Sequence, residues 1–130
     1  MDFSTAWNII RAEITPQPWT YTAGGATLTI EPAGLPAEED GAEVVFQVGD
    51  VMEWVRTPDV QRLVDALTAG ESWGDADYGW GLDVAVADDG VTVAIVQDRK
   101  ATPVTLPASE RMPLASAIRR ALDVARAWED

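Results

Sequence analysis

The chain reads as an α+β protein: an antiparallel sheet of about five or six strands, with helices near 4–14, 58–69 and 113–128 packed mainly on one face. Two observations predict this. Residues 19–31 and 82–97 each alternate apolar and polar side chains on either side of a glycine-bearing turn, the mark of a half-buried hairpin. The three other stretches repeat their apolar residues at helical spacing. At 130 residues the chain is read as one domain, residues 1–130, long enough to bury roughly two-thirds of its unfolded surface.

Phe3, Trp7, Ile10 and Ile14 form the first helical stripe, behind Ser4 as N-cap, and Pro16 and Pro18 end it. In the first hairpin a Gly24-Gly25 turn sets Trp19 opposite Ile30 and Tyr21 opposite Leu28. Thr22 then faces Thr27, and Thr20 faces Thr29, so one face is aromatic–aliphatic and the other is threonine. Residues 32–42 read as a surface loop with the acid run Glu38-Glu39-Asp40. Val44, Phe46 and Val48 point inward from a third strand. Residues 50–56 are ambiguous; Val51, Trp54 and Val55 fit a helical turn packed on the sheet.

The next helix takes Thr57 as N-cap, Pro58 at its first position and Asp59 in its first turn. Val60, Leu63, Val64 and Leu67 are its core stripe, and Gly70 its C-cap glycine. In the second hairpin an Asp89-Gly90 turn sets Val86 opposite Val93 and Val84 opposite Ile95, all on one apolar face. The other face carries Asp83, Ala85, Ala87, Thr92, Ala94 and Val96. Residues 98–101 read as a polar turn. Thr102–Leu106 can form a last strand, which Pro103 confines to an edge or a late start. The longest helix starts at Pro113 and buries Leu114, Ile118, Ala121, Leu122, Ala125 and Trp128. No internal sequence repeat of useful length is visible.

The net charge of −13 is unevenly spread. Residues 1–98 set three arginines against eighteen acids, a net of −15, whereas residues 99–130 are net +2. Such a field repels nucleic acid and anionic membrane and steers a basic partner. Solubility, or adaptation to a salty cytosol, explains the acidity more simply. Arg119, Arg120 and Arg126 make a basic face on the last helix; it is most simply solvated, and otherwise docks on the acidic part of a second copy as a homodimer.

The chain has no histidine and no cysteine. That removes the commonest general base, the commonest metal ligand, thiol chemistry and disulfides. None of the four serines lies in a G-x-S-x-G turn, and there is no Walker loop. Asp75, Asp77 and Asp83 do not have calcium-loop spacing, because Gly79 and Val86 stand where that loop needs other residues. No cofactor and no metal site are expected. Catalysis by carboxylates alone is the least favoured reading. No stretch is long and apolar enough to span a membrane, and an acidic N-terminus without a basic region is not a secretory signal, so a cytoplasmic location is expected.

Residues 71–81, ESWGDADYGWG, are the compositional oddity. Trp7, Trp19, Trp54 and Trp128 lie on apolar stripes and read as core. Trp73, Tyr78 and Trp80 lie among glycines and aspartates. They read either as a lid over the second sheet face or as binding anchors, ringed by Glu71, Asp75 and Asp77. The expected function is a non-catalytic interaction module, an adaptor, inhibitor or immunity-type factor, that offers this loop to a basic protein. The rival is a small-molecule or cation site in a pocket under the loop.

Overall fold

The computed structural model describes residues 18–33, 42–76 and 79–129. The helix expected near 4–14 and the acid run 38–40 lie outside them. The described chain is α+β and antiparallel, but its strands form two four-stranded sheets rather than one of five or six. In the first sheet, β1 (Trp19–Ala23), β2 (Ala26–Ala33), β3 (Glu43–Val48) and β4 (Val51–Arg56) follow one another as a meander. Helix α1 (Thr57–Ala69) follows directly. The second meander is β5 (Trp73–Gly74), β6 (Gly81–Ala87), β7 (Gly90–Gln97) and β8 (Lys100–Pro107). A short 3₁₀ turn then leads into α2 (Arg111–Glu129). The described residues therefore run the same plan twice, four antiparallel strands and a helix, where the sequence shows no repeat. A topology can recur without sequence likeness because antiparallel pairing needs only alternation and turns.

The first hairpin has the register its faces dictate, with Trp19 opposite Ile30, Tyr21 opposite Leu28 and Thr22 opposite Thr27. Gly24 and Gly25 both have positive φ, as a primed two-residue turn demands. Thr22 and Thr27 join their hydroxyls at 2.9 Å on the outer face.

The second hairpin corrects the expected pairing. Val84, not Val86, faces Val93, Val86 faces Val91, and Leu82 faces Ile95. The turn is Asp88-Asp89, one residue earlier than an Asp89-Gly90 turn and equally short, which shifts each pairing partner by two. A slip of two keeps every side chain on its face. Val84, Val93 and Ile95 are therefore buried as read, with Leu82 and Val91 beside them. Gly90 is needed for a close approach: a Cβ there would stand 2.6 Å from the Leu106 carbonyl of the neighbouring strand.

Residues 51–56 are a strand, not a helical turn. Val51 and Val55 point inward while Met52, Trp54 and Arg56 point outward. Trp54, read as core, is half exposed on this edge strand. Thr57 is the first helical residue rather than the cap, which falls to extended Arg56. Gly70 closes α1 in the left-handed conformation, its N–H on the Leu67 carbonyl at 3.1 Å. Arg111 donates from the start of α2 to the Leu67 and Thr68 carbonyls, so the second half caps a helix of the first. Pro103 lies within β8, an edge strand as its missing donor requires.

Both helical stripes are buried as read. The helices pack on each other, α2 lies on β2 and β3, and the sheets meet where β3 and β4 approach β7 and where β1, β2 and β3 approach β8. One apolar cluster draws on both sheets and both helices. Gln97 of β7 donates to the Met52 carbonyl of β4 at 2.9 Å across that seam.

Candidate interaction loop

The segment between β5 and β6 is a short excursion pinned at its base and near its tip. At the base, the Asp75 N–H donates to the Leu82 carbonyl at 2.9 Å, and the Asp75 carboxylate accepts from the Leu82 N–H at 2.7 Å. Asp75, expected as a rim acid, thus closes the loop. Near the tip, Arg99 donates its backbone N–H to the Gly79 carbonyl at 3.0 Å. Asp98 and Arg99 form the β7–β8 turn with φ of 51° and 64°, so this left-handed turn built from ordinary residues is also the loop's anchor.

The two described tryptophans of the segment go different ways. Trp73 pairs with Val84, which puts both on the inward face, and it packs half-buried against the core. Trp80 is 57% exposed. Glu71 is exposed as well, just past the α1 cap. Tyr78 and Asp77 lie outside the described residues. On the outer face of this hairpin Ala85 and Ala87 of β6 are exposed, while Thr92, Ala94 and Val96 of β7 are part-buried. β5 is only two residues long. Just before it begins, the Ser72 hydroxyl accepts from the Val86 N–H at 2.8 Å and blunts the edge.

Under the segment there is a shallow open depression of about 360 Å³, lined by Ser72, Trp73, Gly74, Asp83, Val84 and Ala85. A small-molecule site is typically concave enough to bury most of its ligand, and this surface is not. Among the described residues no three acids converge as a metal site. No described helix is long and apolar enough to cross a membrane.

Glu53 is a residue that the helical reading of 50–56 hid. On a strand it shares the inward face with Val51 and Val55, and it stands opposite buried Phe46. Burial raises its pKa above the ordinary glutamate value, and the charges of Asp75 and Glu43 push it further the same way. The alternation Val51, Glu53, Val55 was the available signal for it.

The basic face of α2 is largely engaged. Arg119 pairs with Asp123 at 3.2 Å, both exposed, and Arg126 donates to Gln61 of α1 at 2.7 Å. Arg120 lines a separate groove of about 320 Å³ with Pro18, Trp19, Thr20, Ile30, Pro32, Ala117 and Ala121. No protein-family model and no curated protein matches this chain.

Proposed function

We propose that the protein is a small non-catalytic interaction module that presents Trp80 and the neighbouring acids to a basic protein partner. The observation behind this reading is the contrast within one loop. Trp73 spends its ring on the core, while Trp80 stays more than half exposed on a backbone held at Asp75 and Gly79. A large aromatic on a pinned loop loses little freedom on binding, which is what an interface anchor requires. Glu71, Glu53 and Asp75 give the same region its negative sign, in line with the −15 of residues 1–98. The open depression beneath the loop gives the small-molecule reading less support.

The experiment is capture from the native cell with tag-free protein, followed by binding kinetics on the protein retained. Trp80→Ala is expected to weaken binding about thirtyfold or more, through faster dissociation, with the melting temperature unchanged. Glu71→Gln is expected to slow association at low salt only. Asp75→Asn does not isolate charge, since it also disturbs the loop's base. If Trp80→Ala binds as wild type does, the interface lies elsewhere and this reading fails.

A further inference from the structure

We propose, taking Trp80 as an anchor, that Trp54 is a second anchor of the same interface, and that the two tryptophans together receive an arginine- or lysine-rich segment of the partner. Trp54, Trp80 and Met112 are the large apolar side chains that stay exposed among the described residues, and the two indoles do so at 50% and 57%. No packing inside the protein accounts for Trp54. Val51 and Val55 carry the inward face of β4, while Trp54 lies with Met52 on the outward one. Large apolar side chains exposed close together mark an interaction surface more often than singly scattered ones do.

The β7–β8 turn ties both tryptophans to one region. At its start the Gln97 side chain donates to the carbonyl of Met52, two residues before Trp54. Within it Arg99 donates its backbone N–H to the carbonyl of Gly79, the residue before Trp80. Followed through those two bonds, the Cα atoms of Trp54 and Trp80 can be no more than about 27 Å apart. An interface of ordinary size, about 800 Å² on each partner, is about 30 Å across and can hold both. Charge names the kind of partner. Asp50, Glu53, Asp75 and Asp98 lie along this run of contacts, against Arg99 and Lys100. Glu43 and Arg56 stand opposite each other in the β3–β4 register and balance. With the net −15 of residues 1–98 behind them, these acids draw cations. A guanidinium or ammonium group is also attracted to the face of an indole, so one basic segment satisfies rings and acids together.

The probe is deca-arginine with both ends blocked, which spans about 33 Å when extended and so reaches across both rings. It is titrated at low salt into full-length, nitrogen-15-labelled protein, and the indole N–H signals are followed by NMR. Trp54→Phe and Trp80→Phe assign the two signals of interest. Both are expected to move with a single dissociation constant. Trp54→Ala and Trp80→Ala are each expected to weaken that constant about fivefold, with the other indole signals in place to show an intact fold. A shift at only one of the two, different constants for the two, or unchanged affinity in Trp54→Ala would each overturn the proposal. With Trp80 alone shifting, the loop remains an anchor without Trp54. No shift at either overturns both readings. Equal shifts with deca-glutamate would overturn the basic partner.

Discussion

Among the described residues each half lays down four antiparallel strands and then a helix, yet the halves turn their hairpins by different chemistry. In the first half Gly24 and Gly25 carry the positive φ of the β1–β2 turn, with nothing within 4 Å of either. In the second half the Asp88-Asp89 turn contains no left-handed residue, and the left-handed pair is Asp98-Arg99 one turn later. Gly90 meanwhile lies buried at the start of β7, against the Leu106 carbonyl. Glycine thus does two unrelated jobs, conformational freedom in one hairpin and absence of a side chain in the other. The second half can hold two ordinary residues in a strained turn because that turn is tied down, by Arg99 to Gly79 and by Gln97 to Met52.

The sharpest way to break this comparison is Gly90→Ala. The added methyl meets backbone rather than a flexible side chain, so a loss of about 2–3 kcal/mol is expected in equilibrium denaturation. A loss below that of Gly25→Ala would mean the β7–β8 contact yields easily and Gly90 is an ordinary turn residue. Gly25→Ala has open space and pays only for its left-handed φ of 82°, about 1–2 kcal/mol by the same measurement. Arg99→Gly acts in the opposite direction. It relieves φ of 64° and keeps the backbone bond to Gly79, so the unfolding free energy should rise by up to about 1 kcal/mol. A fall would show that the Arg99 side chain packed along Gly79 outweighs the strain.

The smallest expected effect lies at the seam between the halves. Glu53 of β4 has its pKa raised by burial and by Asp75 and Glu43, so folding disfavours its ionised form. Its contribution is full below the ordinary glutamate value and is lost as pH rises through the raised one. Glu53→Gln should therefore stabilise the protein at pH 7, and the gain should disappear at more acid pH once Glu53 is protonated. Denaturation midpoints of the two proteins across pH 3–7 check this. A gain independent of pH would assign the effect to packing instead.

How far the loop could be read from its residues follows from the same physics. Trp73, Tyr78 and Trp80 fit no helix or strand period, so composition marked the segment but could not divide it. The division comes from two residues of pairing at Trp73–Gly74, which turn one ring inward and leave Trp80 outside. Trp54 was misassigned for a related reason. Val51, Trp54 and Val55 suit a helix as a triplet, whereas Val51, Glu53 and Val55 suit a strand, and a six-residue window cannot choose. Strand pairing did choose: β4 pairs along all six residues with β3.

The sequence by itself determined what depends on neighbours along the chain. Alternation assigned the faces of β1, β2, β3, β6 and β7. The stripes of α1 and α2 assigned the buried helix positions, and Gly24-Gly25 set its own register. These follow because side-chain direction repeats every two residues in a strand and every 3.6 in a helix. Only the tertiary structure decided the rest: the slip of the second hairpin by two residues, the division of the strands into two sheets, and the capping of α1 by Arg111. A two-residue slip preserves every face, so alternation cannot detect it; in the observed pairing Gly90 is a strand residue opposite Ala87, against the Leu106 carbonyl of β8. The number of sheets is likewise invisible to a local pattern. An inward-facing residue looks the same whether the core it meets is built by its own sheet and helix or shared with a second pair.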